Sequence, residues 1–413
     1  MTEQNSPSDQ KSGSKDAESL WEFVPLADYH IPGLPARSAA ATSWTSLKRI
    51  FRRANEESTA AVKEEAKLSA LTQVRLKYLV QPPNLSEAAR ALDASLNEWM
   101  LSCTSDCPVK FVIGQPHSDH AEIVRQWGLR YKATPITPPT YQQIFTGDGR
   151  WFDSWPVSDL PWILPNLERC YLRHASGLTL LRELFERAEN GRLGRGVIGC
   201  DSWGWAYLQR VWPMSRPDVL TLQAFDGQRL ASLLTHLVAL RSNKRICFRN
   251  ARTGNDILTI PGSDSEVPRE IVELAAHCRG NVGIAILYWR DRLRTEPDTE
   301  ETNSDADKKM SEQGETDEER VWVSAKLSEP VLPIGTDEYT AFVLHALLLH
   351  GGMPASLLPE LLPLSHYRCM AILLRLRNAG VVEWKQGCWW VAGLAYENVR
   401  GFLCGHDYLA DSF

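Results

Sequence analysis

The sequence predicts an α/β fold, a parallel sheet with flanking helices, followed by a helical lid and a C-terminal winged helix-turn-helix domain. Three observations carry this reading. From Val109 onward, short apolar runs alternate with amphipathic stretches of about 10–15 residues, the spacing of parallel strands joined by helical crossovers. Toward the C-terminal end, three helical patterns and two short strands fall within about sixty residues, the winged-helix pattern. The chain has 413 residues, 43% hydrophobic and 23% charged. That is length for two or three domains and a composition too ordinary for a disordered, collagen-like or coiled-coil chain.

Residues 1–40 are polar and lack an apolar leader core, so they predict a disordered tail on a cytoplasmic protein. Residues 41–85 read as a helical segment carrying the basic patch Lys48, Arg49, Arg52 and Arg53. The α/β core is expected over 86–242. Its strands are predicted at 109–114, 162–164, 196–200 and 219–222, and its helices at 121–131, 178–189, 205–211 and 227–241. A helical lid follows over 243–295, with helices at 269–277 and 284–294. Residues 296–320 hold eleven acidic and three basic residues, net −8. This reads as a disordered linker, and against a whole-chain charge of −6 it leaves about +2 for the remainder. The winged helix is expected over 321–400, with helices at 340–350, 355–362 and 366–378 and strands at 381–385 and 388–391, and 401–413 is an extension. The longest apolar run, near 339–350, is too short for a membrane span.

Nine cysteines without regular spacing, in a chain with no export signal, read as reduced packing residues. Cys103 and Cys107 with His117 and His120 have poor spacing for zinc, so no metal is expected.

A strand ending in Gly, then a loop, then a helix is where backbone N–H groups can cradle phosphate. Here that loop is Gly114, Gln115, Pro116, His117, Ser118, Asp119, His120 and Ala121. Laid on G-x-x-x-x-G-K-[ST], it keeps the first glycine. Asp119 replaces the second, His120 the lysine and Ala121 the hydroxyl residue. The fixed positive charge and the magnesium ligand are therefore lost, and a carboxylate is added.

On this loop and on the element order, residues 86–391 resemble the AAA+ branch of P-loop NTPases, particularly the origin-recognition-like members that append a lid and a winged helix. The resemblance implies an acidic motif at the end of the strand before Glu168. Pro165 and Asn166 occupy the positions of the magnesium-coordinating and catalytic carboxylates, leaving Glu168 as the nearby acid. It also implies a polar sensor at Asp201 or Ser202, and a sensor-bearing lid after Arg279-Gly-Asn with Arg290 and Arg292. With lysine, hydroxyl and acidic pair replaced together, hydrolysis has neither metal nor charge neutralisation. The expectation is a pseudo-ATPase with no cofactor; ATP or ADP held by backbone amides without magnesium is the residual possibility.

On the third helix of the winged domain, Met370, Ile372, Leu373, Leu374 and Leu376 are assigned to the core. His366, Tyr367, Arg368, Arg375, Arg377 and Asn378 are left to face outward. The hairpin carries one cation, Lys385, among Trp384, Trp389 and Trp390, a set better suited to protein contact than to phosphate. A protein partner is therefore expected, with DNA binding through the winged helix as the alternative and a divergent ATP hydrolase as a second. Ser202 beside Gly199 only faintly matches a nucleophile elbow and reads as a turn residue. The fifteen tryptophans are the compositional extreme. Trp151, Trp155, Trp162, Trp203 and Trp205 flank the positions where a nucleotide would lie, which suggests a site refilled with aromatic contact surface.

Overall fold

The computed structural model describes residues 20–33, 68–102, 108–156, 160–214, 217–239, 245–258, 267–296 and 318–413. The basic patch at Lys48–Arg53, the thiols Cys103 and Cys107, and residues 297–317 of the acidic stretch lie outside them.

The central sheet has six strands: β1 (Phe23–Pro25), β3 (Val109–Gly114), β4 (Thr134–Pro135), β5 (Trp162–Leu164), β6 (Gly196–Asp201) and β7 (Asp218–Leu222). Their order is β1-β7-β3-β6-β5-β4. All neighbours are parallel except β1, which runs antiparallel along β7. Side chains alternate across β3. Val112 joins the core on one face, while Phe111 and Ile113 join the core on the other, against Phe185 and Trp205. Both faces are covered, which is why the strand reads as one apolar run instead of an alternating pattern.

One face is covered by α2 (Leu85–Leu101), α3 (His120–Arg130) and α7 (Gly227–Ala239). The other is covered by α5 (Thr179–Glu189) and α6 (Ser202–Val211). The five tryptophans expected around a nucleotide lie in this framework, none more than 7% exposed. Trp162 packs under Gly196, where a Cβ would overlap the indole, and its Nε1 donates to Leu193 O at 2.6 Å. Trp151 donates to Thr137 O at 2.8 Å, and Trp155 packs edge-on against Trp162. They fill the sheet faces as core residues, which overturns the reading of a site relined with contact surface.

Three further expectations change. Residues 20–25 lie within the predicted disordered tail, yet Trp21 and Phe23 are buried and β1 covers the β7 edge. Residues 243–295 are not purely helical. β8 (Arg245–Asn250) and β9 (Leu293–Thr295) join β2 (Ser69–Ala70) and β10 (Glu318–Val323) in a second sheet of order β2-β9-β10-β8. Phe248 on β8 meets Trp289, and Val321 and Val323 on β10 are buried, so these strands are held by apolar residues set among charged ones. The acidity of 318–320 hides β10 from a charge-based reading. Residues 401–413 belong to the folded structure too: α13 (Tyr396–Cys404) runs into them, and Asp411 and Phe413 are buried.

Between the second sheet and α13 lie α8 (Arg269–His277), α9 (Val282–Arg292), α10 (Glu338–Leu349), α11 (Leu358–Leu361), α12 (His366–Asn378) and the hairpin β11 (Val382–Lys385)–β12 (Cys388–Val391). α8 and α9 precede β9, and the rest follow β10. The Met353 backbone bridges to Trp389 and extends the hairpin. No helix among the described residues is long and apolar enough to cross a membrane.

Candidate functional site

The sheet order dictates where a site belongs. β3 and β6 are neighbours, but the chain leaves β3 through α3 toward the β4 edge and leaves β6 through α6 toward β7. Connections diverging from adjacent parallel strands open a crevice at their carboxyl ends. Gly114 and Asp201 stand opposite each other at that point.

The loop after Gly114 is wound tightly. A Cβ on Gly114 would overlap His120 Cβ, so only glycine fits. His117 and Asp119 take positive φ, 65° and 56°, and Ser118 N–H donates to Gln115 O at 3.1 Å. Asp119 stands at the N-cap of α3, but its side chain makes no capping bond.

Other parts of the chain hold the loop in place. Gln115 Nε2 donates to Tyr29 OH at 2.8 Å, and Asn281 Nδ2 donates to Pro116 O at 2.8 Å. Asn281 also caps α9, accepting from the Gly283 and Ile284 N–H groups. His117 O lies directly over Gly283, where a Cβ would overlap it. The His117 ring bonds the Val391 main chain and meets Tyr396. Burial lowers the His117 pKa to about 4 and also pushes His120 down, so both imidazoles are neutral at pH 7.

Glu168 and Asp201 form the floor, 3% and 5% exposed. Glu168 Oε2 accepts from Asp201 N–H at 3.1 Å and Oε1 from Asn166 Nδ2 at 2.9 Å. Asp201 caps α6 by accepting from Trp203 N–H at 2.9 Å. Burial, reinforced by the Glu168 charge, drives the Asp201 carboxyl well above the usual range. Asn166, at a position where the resemblance implies a carboxylate, accepts from Arg125 at 2.8 Å.

The C-terminal helices and hairpin wall one side of the crevice, leaving a half-open cavity of about 530 Å³ bordered by Leu347, Gly352, Lys385 and Trp390. This contact is polar as well as apolar. Tyr171 OH donates to Leu349 O at 2.9 Å, Trp203 Nε1 to Tyr396 OH at 2.9 Å, and Arg169 donates to Gly351 O and stacks on Trp390.

The expected site residues are thus divided. Pro116, His117, Asp119, His120, Ala121, Glu168, Asp201 and Lys385 line the cavity. Ser202 turns away and donates to Asp411. Arg292 is buried on the far side, its Nε donating to Ser324 O at 2.7 Å, and Arg290 does not line the cavity. The residue of α9 that meets the loop is Asn281 at its start; Arg290 and Arg292 are nine and eleven residues further on, roughly 14–16 Å along the helix. Trp389 is 4% exposed and packed against Trp384, so its ring offers no surface to a partner.

On α12, His366, Tyr367, Arg368, Arg375, Arg377 and Asn378 are exposed. Arg368 reaches Asp337 at 3.1 Å and lies over Tyr339, while Arg375 donates to Ile334 O. Leu374, assigned to the core, is 46% exposed because the helix turns that position outward. The partners that sequence reasoning missed are Asn281, Arg169 and Tyr396. Of these, only Asn281 carried a local signal, as an Asn directly before an apolar helix.

No family model matches the sequence, and no curated protein matches it. Among solved structures, Cdc6p from Pyrobaculum aerophilum is similar over 83% of this chain and 100% of that one, at 14% identity and a TM-score of 0.29. That likeness is too distant to assign a fold.

Proposed function

We propose that this chain is a P-loop NTPase-like protein of AAA+ type that acts by contact instead of turnover, with its C-terminal winged helix folded onto its own nucleotide crevice. One observation carries the reading: the crevice at the β3–β6 switch point is walled by the chain's own hairpin, and its lining sets four carboxylates against one lysine, Lys385, which is paired with Glu383. In support, the parallel strands run β7-β3-β6-β5-β4, which brings the degenerate loop, Glu168 and Asp201 to one end of the sheet. Phosphoryl transfer needs fixed positive charge and a metal hydroxyl ligand at this loop, and His120, held neutral, and Ala121 supply neither. The protein is a cytoplasmic regulator or scaffold whose partner is another protein, met through surfaces that the docked hairpin covers or presents.

The test is magnesium-dependent phosphate release from ATP by the purified chain beside Glu168→Gln. No release above blank is expected; release that Glu168→Gln abolishes would show a working ATPase. Duplex DNA binding at two salt concentrations separates the winged-helix alternative. Since Arg368 and Arg375 are already engaged within the chain, the Arg368→Ala, Arg375→Ala double variant is expected to change nothing.

A further inference from the structure

We propose that the cleft formed by Ser202, Arg279, Arg400 and Tyr29 is a docking site for an extended segment of a protein partner, one that carries a carboxylate two residues ahead of a phenylalanine. In this chain residues 411–413 fill the site themselves, so that partner and tail compete for it. None of the four residues lines the nucleotide crevice, and the site stands whether or not nucleotide binds.

Residues 411–413 are held as a bound peptide is held. α13 ends at Cys404, and the chain turns back through Gly405, His406 and Asp407, all exposed, with Asp407 at a φ of 58°. Beyond Tyr408, no backbone-to-backbone hydrogen bond joins this stretch to the rest of the described residues. Side chains grip it instead. His345 Nε2 meets Leu409 O at 3.1 Å. Arg400 donates to Asp411 Oδ1 and to Asp411 O, each at 3.2 Å, and to Phe413 O at 3.1 Å. Arg279 donates to that same Phe413 oxygen, and Ser202 to the Asp411 carboxylate. An edge strand leaves a sheet only by breaking a ladder of backbone bonds, whereas this stretch can leave by releasing side chains alone.

Each anchor selects a chemical feature. Asp411 is 6% exposed and accepts from a guanidinium on one oxygen and a hydroxyl on the other. An amide there would keep one acceptor in place of two and would lose the charge. Phe413 is 3% exposed, packs into the same core as Phe111 and Trp205, and meets the Tyr29 ring with centroids 4.8 Å apart. Ser412 between them is exposed, so that position is unread. The recognised pattern is therefore acid, any residue, phenylalanine. Burial raises the Asp411 carboxyl even though Arg400, Ser202 and Arg279 pull it down, so the tail occupies the site against a desolvation penalty and is replaceable.

The tail is tethered, which gives it an effective concentration on the order of millimolar against any competitor. The experiment therefore loosens it in the full chain, through the Asp411→Asn, Phe413→Ala double variant. Fluorescence anisotropy then measures binding of a peptide with the sequence of residues 408–413, fluorescein-labelled at its start and amidated at its end. The double variant is expected to bind this peptide at least tenfold more tightly than the native chain does. Peptides with Asn for Asp or Ala for Phe should bind it at least tenfold more weakly, a comparison that leaves the protein unaltered. Adding Arg400→Gln to the double variant should weaken the parent peptide at least tenfold while circular dichroism stays native. No binding to a natively folded double variant, equal binding of the three peptides, or indifference to Arg400→Gln would overturn the site. Should the double variant not fold, hydrogen exchange decides on the native chain. Excess peptide is then expected to quicken exchange of the amides at 409–413, and an unchanged rate would overturn the site.

Discussion

Asn281 does two jobs with one side chain. Its Oδ1 caps α9 and its Nδ2 holds the Pro116 carbonyl of the loop, so the start of that helix and the floor of the crevice are fixed together. Asn281→Ala is expected to cost about 2 kcal/mol, a lost cap plus an unpaired carbonyl, measured by urea unfolding. Asn281→Asp keeps the cap oxygen but not the amide donor and should recover only part of that. Next to it, Gly283 touches the His117 carbonyl so closely that Gly283→Ala must move the loop. Its expected cost is about 1–3 kcal/mol of overpacking, read as a lower thermal midpoint. A cost below about 0.5 kcal/mol would mean that the loop is free to shift. The cap itself is legible as an Asn before an apolar helix, but the loop contacts of Asn281 and Gly283 are not, because each depends on which loop the helix start happens to meet.

The hairpin shows at the level of an element how three neighbouring tryptophans divide their work. Trp389 is buried and central, Trp390 faces the cavity, and Trp384 is 48% exposed. Trp389→Ala should cost about 3–5 kcal/mol, whereas Trp384→Ala should stay within about 1 kcal/mol, both by chemical denaturation. α12 is legible from its helical period, the hairpin from two short strands across a turn, and β3, β5 and β6 as continuous apolar runs buried on both faces. β4 is two residues with a proline and β1 is three residues beside a polar flank, so neither has enough length for a period to register. β8 and β10 pair in parallel across a long acidic interval, and nothing local to either strand names the other. The loop and Glu168 were found because phosphate chemistry constrains residue types. The lid arginines were misplaced because helix direction, not composition, decides what a side chain reaches.

Across the whole molecule, the contact between the core and the C-terminal helices is built on groups whose protonation is shifted. Burial lowers His117, His345 and His350 to about 4 each. The unfolded chain takes up these protons near pH 6.5, so stability should fall as pH drops from 6.5 to about 4, by about 3 kcal/mol for each histidine at most. His117 lies under Val391, His345 meets Leu409 O, and the His350 ring meets Tyr171, so acid should loosen this contact first. Small-angle scattering and tryptophan fluorescence against pH would register it, and a flat profile down to pH 4 would refute it. Glu397 works in the opposite direction. Burial raises it to about 7, against attraction from Arg400 and Arg279 and with repulsion from Asp411 and Glu329. The unfolded chain ionises it near 4.5, so its penalty grows as pH rises from 4.5 to about 7, and Glu397→Gln should stabilise the protein at pH 8 by about 1–3 kcal/mol. The two windows overlap from about pH 4.5 to 6.5, where three histidines outweigh one carboxyl, so these groups together place the stability maximum near pH 6.5.

The Tyr29 and Phe413 rings meet at a tilt of 53° with centroids 4.8 Å apart, and Gln115 of the loop bonds that same tyrosine. During synthesis the sheet can assemble as soon as β7 has left the ribosome, whereas the groups that wall the crevice are made later. A nascent chain therefore displays its loop, Glu168 and Asp201 to the cell for the whole time it takes to make the C-terminal helices and hairpin. A chaperone or partner arriving in that interval meets a surface that the completed protein hides, and the order of synthesis decides which surface is offered first.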